Sequence, residues 1–472
     1  MKDVDAQERG ERLLLETMKK IHFVGIGGAG MSAIAKILLE KGYEVSGSDL
    51  NDSEVVEKLK ALGALVYKGH QKQNVTGKEA IVVSTAISDQ NPEVVAAKEN
   101  GIKIFHRSDI VAFLMNQSSG IAIAGAHGKT TTTSMVSVML DHAGKEPTII
   151  IGGEVDYLGS NAKLGDGRYL VAEADESDGS FLKLLPEIAV VTNIENDHMD
   201  FYGTMENILK TFKKFLNNLP QENGLAILCF DNEYIRDIAE NLDRQFISYA
   251  VNHSADYMAK NIHTNGAGTS FDVYHHEEKM GTIVLNIPGK HNVANALAAI
   301  AVGDKAGLDI EEMAEGLRCF NGAKRRFQTK GRVKDVWIVD DYAHHPTEIS
   351  TTLTAARQTK PNRLICAFQP HRYTRTQFLR KEYGSCFEAA DLLVLTDVYS
   401  AGEKPIPGIN GEVIKEEVEK QTGKEAIYIA NRKDIAGYLE GVVKPGDLVM
   451  SMGAGDIYRT GEELVDLLSS DK

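Results

Sequence analysis

Positive charge is in short supply in this chain. Its 52 lysines and arginines face 67 acidic residues, a formal net charge of −15. Binding to nucleic acid or to an anionic membrane leans on an excess of Lys and Arg, so neither is an expected partner, and any phosphate site must be local. Cysteine is scarce as well. Cys229, Cys319, Cys366 and Cys386 stand far apart with no C-x-x-C pair. They read as reduced packing residues of a cytoplasmic protein rather than as a disulfide framework or a zinc site. No run reaches the ~18 apolar residues of a membrane span, and the start, MKDVDAQERGERLLLETM, lacks the apolar core of a secretion signal. Internal repeats and low-complexity segments are missing too. What remains is an ordinary globular composition, 43% hydrophobic and 25% charged. At 472 residues the chain is too long for one core, and two or three domains are expected.

The polar residues gather where apolar strands end. The clearest case is 119–134, SGIAIAGAHGKTTTTS. Ile121–Ala124 reads as a buried parallel strand, Gly125 to Gly128 as a turn, and Thr131–Leu140 as a helix. Strand, glycine turn, Lys-Thr and helix build a cradle for nucleotide phosphates. Backbone N–H groups turn inward, the helix N-terminus adds positive dipole, Lys129 supplies a point charge, and the Thr130 hydroxyl can reach Mg²⁺. The loop is shorter than the usual G-x-x-x-x-G-K-[ST], because position 123 is Ile where that pattern has Gly.

Earlier in the chain, Lys20–Val24 is a strand that ends in GIGGAG at 25–30, with Asp49 about twenty residues on. Alone, this is the dinucleotide fingerprint. It suggests either an NAD-dependent oxidoreductase or a strand turning into a helix around some other phosphate. Further strands end in Ser84-Thr85 and in His106-Arg107, on the edge that carries Gly27.

Two more strands follow the central loop. Tyr169–Ala172 ends in EADESD at 173–178, and Ile188–Ile194 ends in ENDHMD at 195–200. Glu173 and His198 would then join Thr130 as ligands of Mg²⁺, which prefers oxygen. Ala294–Val302 is an Ala-rich helix after PGKHN at 288–292, and Asn292 and Asn295 share a face that could read a purine or cap the helix. In the last third, strands run into DDYAHHPT (340–347) and QPHRYTRT (369–376). Arg372 and Arg375, three apart, could clamp one carboxylate. The neighbouring His344 and His345 are placed for proton transfer or phosphate contact.

Taken together the chain resembles the ATP-dependent Mur ligases. The likeness runs from HFVGIGGAGMS at 22–32, through AGAHGKTTTT, EADESDGSF, NIENDHMDFY, GKHNVANALAA, GAKRRFQ, DDYAHHPTE and FQPHRYTRT, to MGAGDIY at 452–458. The resemblance implies an α/β fold of three domains: an N-terminal Rossmann-like domain for a UDP-sugar (1–117), a central P-loop ATPase-like domain (118–328) and a C-terminal Rossmann-like domain for the amino acid (329–472). It implies the branch that couples L-alanine to UDP-N-acetylmuramate through an acyl phosphate, with ATP and Mg²⁺, in a monomer or homodimer. A murein-peptide ligase is the neighbouring alternative.

By resemblance, the nucleotide contacts fall on Gly125, Ala126, His127, Gly128, Lys129, Thr130, Thr131, His291, Asn292, Asn295, Arg326 and Asp341. Lys129, Glu173, His198 and His344 are the catalytic candidates, and Thr130, Glu173 and His198 the metal ligands. The 25–30 loop then holds UDP rather than NAD, through Gly27, Gly28, Ala29 and Gly30 with Asp49, Ser84 and Arg107. Tyr342, His371, Arg372 and Arg375 are assigned to the amino acid. Two departures stand out. Position 126 is Ala where the family commonly carries Thr. Lys213 stands where sister ligases carbamylate a lysine, a feature the L-alanine branch lacks, so Lys210, Lys213 and Lys214 read as a solvated helix face.

Overall fold

The computed structural model describes residues 15–266 and 268–470. Most of the charged start discussed above lies outside the described residues. The chain forms two compact units. One comprises the chain up to Ala259 with 273–281 and 294–320, and the other 260–272, 282–293 and Asn321 onward.

Three sheets organise the chain. The first is parallel throughout, in the spatial order Leu65–Lys68, Glu44–Asp49, Lys20–Val24, Ala80–Val83, Lys103–His106. Its register matters more than its order. Val24 pairs with Ser48, Phe23 with Val82, and Val83 with His106. One or two residues further on, Gly25, Asp49, Ser84 and Arg107 leave the sheet in a single row. Parallel strands put all their C-termini on one edge, and that edge is where such sheets bind ligands.

The second sheet has ten strands, in the order Glu278–Leu285, Gly268–His275, Tyr257–Asn265, Gln245–Ala250, Leu225–Cys229, Ile188–Val191, Ser119–Ala124, Tyr169–Glu173, Thr148–Val155, Ser160–Lys163. Val191 pairs with Ala124 and Ile123 with Glu173, so Gly125, Thr192 and Asp175 form the next row. The third sheet runs Gln328–Val333, Val336–Asp341, Asp447–Met452, Arg363–Phe368, Leu392–Leu395, Ile427–Tyr428, antiparallel only in its first pair. Successive residues of its strands enter opposite cores. Val339, Leu364 and Cys366 pack with Ile349 and Leu353, whereas Ile338, Ile365 and Ala367 pack with Leu464 and Leu468. Period-two burial on both faces is why these strands read as unbroken apolar runs.

Several boundaries differ from the sequence reading, each for a local reason. The central helix is Lys129–His142 rather than 131–140, because left-handed Gly128 caps it directly. The strand at 188 stops at Val191, since Thr192 and Asn193 leave the ladder to brace the Gly125 loop. The Ala-rich helix begins at Lys290, so His291 and Asn292 lie in its first turn. The helix Met205–Asn217 buries Ile208, Phe212, Phe215 and Leu216 and leaves Lys210 and Lys214 exposed, the expected amphipathic pattern. All four cysteines are free thiols. No helix among the described residues is long and apolar enough to cross a membrane.

The tightest packing in the first sheet is at Gly47. A Cβ there would lie 2.6 Å from the Ile26 side chain and 2.9 Å from the Phe23 carbonyl. Gly47→Ala is expected to destabilise the protein by ~1–3 kcal/mol, as overpacking does. Thermal unfolding followed by circular dichroism measures it, and an unchanged midpoint contradicts the packing argument.

Candidate active site

The Gly125–Lys129 turn is held from the adjacent strand tail. Gly125 has φ 133° and Gly128 φ 84°, backbone that favours glycine. A Cβ on Gly125 would fall 2.2 Å from Thr192 Oγ1, and one on Gly128 would fall 2.8 Å from Asn295 Oδ1. The His127 N–H donates to Asn193 Oδ1 at 2.8 Å, and Thr192 Oγ1 donates to the His127 carbonyl at 2.6 Å. The turn is therefore fixed before any ligand reaches it.

Lys129 is half-buried at the centre of this turn. Its Nζ donates to the Gly125 and Ala126 carbonyls and, at 2.8 Å, to Glu176 Oε1. Burial alone would lower the lysine pKa, but Glu176, Asp175 and Glu173 together raise it above its ordinary value. Burial raises Glu176, against the pull of Lys129. Its second oxygen is buried with no hydrogen-bond partner among the described residues. His198 Nε2 lies 3.8 Å from Glu176 Oε1, and His198 adopts φ 55°, a left-handed conformation uncommon for histidine. Glu173 accepts from the Gly152 N–H at 2.8 Å, and Thr130 packs beside Gly153. Thr130, through its methyl group, and Glu173 thus border neighbouring glycines of the strand Thr148–Val155, while His198 stands against Glu176.

At the first sheet's rim, the Gly25 and Ile26 N–H groups donate to the Ser48 carbonyl, and the Gly27 N–H donates to Asp49 Oδ2 at 2.9 Å. Beneath them Glu93 is fully buried. Burial opposes its charge, but bonds from His22, Ser48 and Asn74 hold its pKa down to about 2. The helix Ala29–Glu40 is tied to the central sheet by Asn161, which donates to the Ala29 carbonyl at 2.7 Å and to Ser32 Oγ at 3.1 Å. Arg107, at the start of its own helix, pairs with Asp175.

In the second unit, Asp341 Oδ1 accepts from the Ala343 N–H at 2.8 Å and Oδ2 from the Phe327 N–H at 2.7 Å. Burial pushes this carboxyl up to about 6, against the pull of Arg326 and those two bonds. Arg326 lies over the Tyr342 ring and 3.7 Å from Glu348. His291 is half-buried; desolvation, with Arg326 nearby, lowers its pKa to about 4, so the ring is neutral. Asn292 donates to the Pro288 carbonyl at 2.7 Å, a helix-cap bond, while Asn295 sits over Gly128, so the pair divides its work. Tyr342, His344 and His371 form a chain of rings, and Arg375 Nη1 is 3.4 Å from His371 Nδ1. His344 Nδ1 faces the Tyr342 carbonyl at 3.0 Å, so in the neutral ring Nδ1 carries the proton and Nε2 the lone pair. Arg372 Nη1 lies 3.9 Å from Glu403 Oε1. His345 serves as the N-cap of the helix Pro346–Gln358.

Three family profiles match in chain order. They are the Mur ligase family catalytic domain over 20–119, the Mur ligase middle domain over 123–303 and the Mur ligase glutamate ligase domain over 325–455. The UDP-N-acetylmuramate–L-alanine ligase of Pelotomaculum thermopropionicum is 48% identical over 97% of this chain and 99% of its own. The chain belongs to the Mur ligase family. The ligase of the same name from Desulforamulus reducens is 50% identical over 95% of this chain and 98% of its own. Among solved structures, a UDP-N-acetylmuramate–alanine ligase from Thermotoga maritima superposes with a TM-score of 0.82 at 30% identity, covering 96% of this chain and all of its own. A murein peptide ligase from Psychrobacter arcticus gives 0.71 at 25% identity, covering 96% and 99%.

Mur ligases are ATP-dependent, and the chain fits a nucleoside triphosphate. Side chains on Gly125 or Gly128 would clash, Lys129 lies within the turn, and a helix N-terminus follows it. Sequence reasoning missed Glu176, the direct partner of Lys129, although it stands inside the EADESD run.

Asp341 yields a signed prediction. Its pKa in the fold lies above the ordinary ~3.9. Its contribution to stability is therefore complete below that value and is lost as pH rises through about 6. Asp341→Asn removes this dependence. Relative to wild type, the variant should gain on the order of 1 kcal/mol between pH 5 and pH 7.5. Denaturant unfolding at the two pH values measures it, and a constant difference would refute the shift.

Proposed function

We propose that the protein joins L-alanine to the lactyl carboxylate of UDP-N-acetylmuramate, converting ATP to ADP and phosphate, in the cytoplasm. The observation that carries this reading is full-length identity of 48–50% to ligases named for those two substrates. We also assign three domains, 1–117, 118–328 and 329–472, for the UDP-sugar, ATP and the amino acid.

In this reading Gly125–Thr131 binds the triphosphate, with His291, Asn292, Asn295, Arg326 and Asp341 as further nucleotide contacts. Residues 27–30, Asp49, Ser84 and Arg107 bind the UDP diphosphate. The γ-phosphoryl group and the acceptor carboxylate are both anionic, so the barrier is largely charge repulsion. Lys129 lowers it by standing where negative charge gathers. Thr130, Glu173 and His198 would hold Mg²⁺, which when bound neutralises phosphate charge. The carboxylate oxygen takes the phosphoryl group, the alanine nitrogen attacks the acyl carbon, and the C–O bond to phosphate breaks. His344, with its lone pair on Nε2, is the group we assign to take the amine proton. Arg372 and Arg375, with His371 and Tyr342, anchor the alanine carboxylate.

Phosphate release with UDP-N-acetylmuramate, ATP and a panel of small amino acids tests the assignment. Release that requires both UDP-N-acetylmuramate and L-alanine supports it, and turnover with a recycled tripeptide alone would replace it with murein-peptide ligation. Lys129→Ala should cost on the order of 10²–10³ in kcat. Arg375→Ala should raise the KM for alanine by about tenfold, the loss of one charge-assisted contact, and leave the KM for ATP nearly unchanged. Equal rises in both would move Arg375 to a phosphate role.

A further inference from the structure

One charged pair joins the two phosphate-binding edges of the first unit. Arg107 leaves the first sheet level with Ser84, and Asp175 leaves the second level with Gly125. The guanidinium lies between the two edges. Nη2 bonds Asp175 Oδ2, while Nη1 stands beside Gly30, where a Cβ would come within 3.1 Å of it. The planar fork of arginine permits this split, which a lysine could not reproduce. Asp175 is itself fixed, because its Oδ1 accepts the Ser177 N–H at 3.0 Å. It directly precedes Glu176, whose Oε1 holds Lys129. Loss of the carboxylate would free Arg107 to swing away from the 25–30 loop.

We propose that Asp175 is a positioning residue: it holds Arg107 against the 25–30 loop and thereby couples the grip on the UDP-sugar to the Lys129 turn. This rests on the function proposed above. Asp175 acts through Arg107 and touches no reacting atom.

Calorimetry with UDP-N-acetylmuramate and initial-rate kinetics on the full chain test it, using Asp175→Asn, Asp175→Glu, Arg107→Ala and the double variant Asp175→Asn/Arg107→Ala. Asp175→Asn is expected to weaken UDP-N-acetylmuramate binding and raise its KM by roughly tenfold, a larger rise than in the KM for ATP. Asp175→Glu should restore most of the loss. The double variant should bind no more weakly than Arg107→Ala, because the two residues act as one. Unchanged binding in Asp175→Asn, multiplicative losses in the double variant, or a loss confined to ATP each overturn the proposal. Should Asp175→Asn not fold, Arg107→Lys asks the same question from the other partner: a raised KM for the UDP-sugar supports the fork, and an unchanged one overturns it. A wild-type protein that binds no UDP-N-acetylmuramate overturns the substrate assignment itself, whereas binding that every variant retains overturns only the role of Asp175.

Discussion

A half-buried lysine sets the terms for this molecule. Placing the Lys129 ammonium inside the turn removes much of its water, a cost that charge and hydrogen bonds must offset. Two carbonyls of its own turn and the Glu176 carboxylate do so directly, with Asp175 and Glu173 adding field. The acidic run at 173–178 is thus the counter-charge that lets a cation be stored where phosphates must bind. Arg107 balances the surplus at Asp175.

The sheets make such a site cheap to assemble. In a parallel sheet the register alone lines up the strand ends, so residues far apart in sequence reach one edge without any added device. Gly25, Asp49, Ser84 and Arg107 share one row, and Gly125, Thr192 and Asp175 share another. In the third sheet Phe368 and Asp341 both pair with Met452, which sets Gln369, Tyr342 and Gly453 level. Arg325 then bonds Asp340 and the carbonyls at 453–455, and so pins the loops around Tyr342.

The ring chain at Tyr342, His344 and His371 shows how the same fold tunes protonation. Burial, with His344 and the nearby arginines, drives the His371 pKa down to about 3, so that ring stays neutral beside Arg375. Asp341 moves the other way, since its burial outweighs its bonds. One rim therefore holds a neutral imidazole and a carboxyl that titrates near 6, with backbone N–H groups and carbonyls fixing their orientation.

Sequence alone determined the parts that depend on near neighbours. The glycine turns at 25–30 and 125–128 were legible because φ, Lys placement and the following helix are all set within a few residues. So were the apolar strands that run into polar motifs, whereas the strands Thr148–Val155 and Ser160–Lys163 and those between Leu225 and Leu285 were not read from the sequence. Tertiary structure decided what touches what. Glu176 meets Lys129 across 47 residues and Arg107 meets Asp175 across 68. Asn295 covers Gly128 while Asn292 turns back to Pro288. Spacing placed each of these side chains on an edge or a helix face. Their partners were fixed only by strand register and by the demand that every buried charge be answered, and neither is written in any single stretch of the chain.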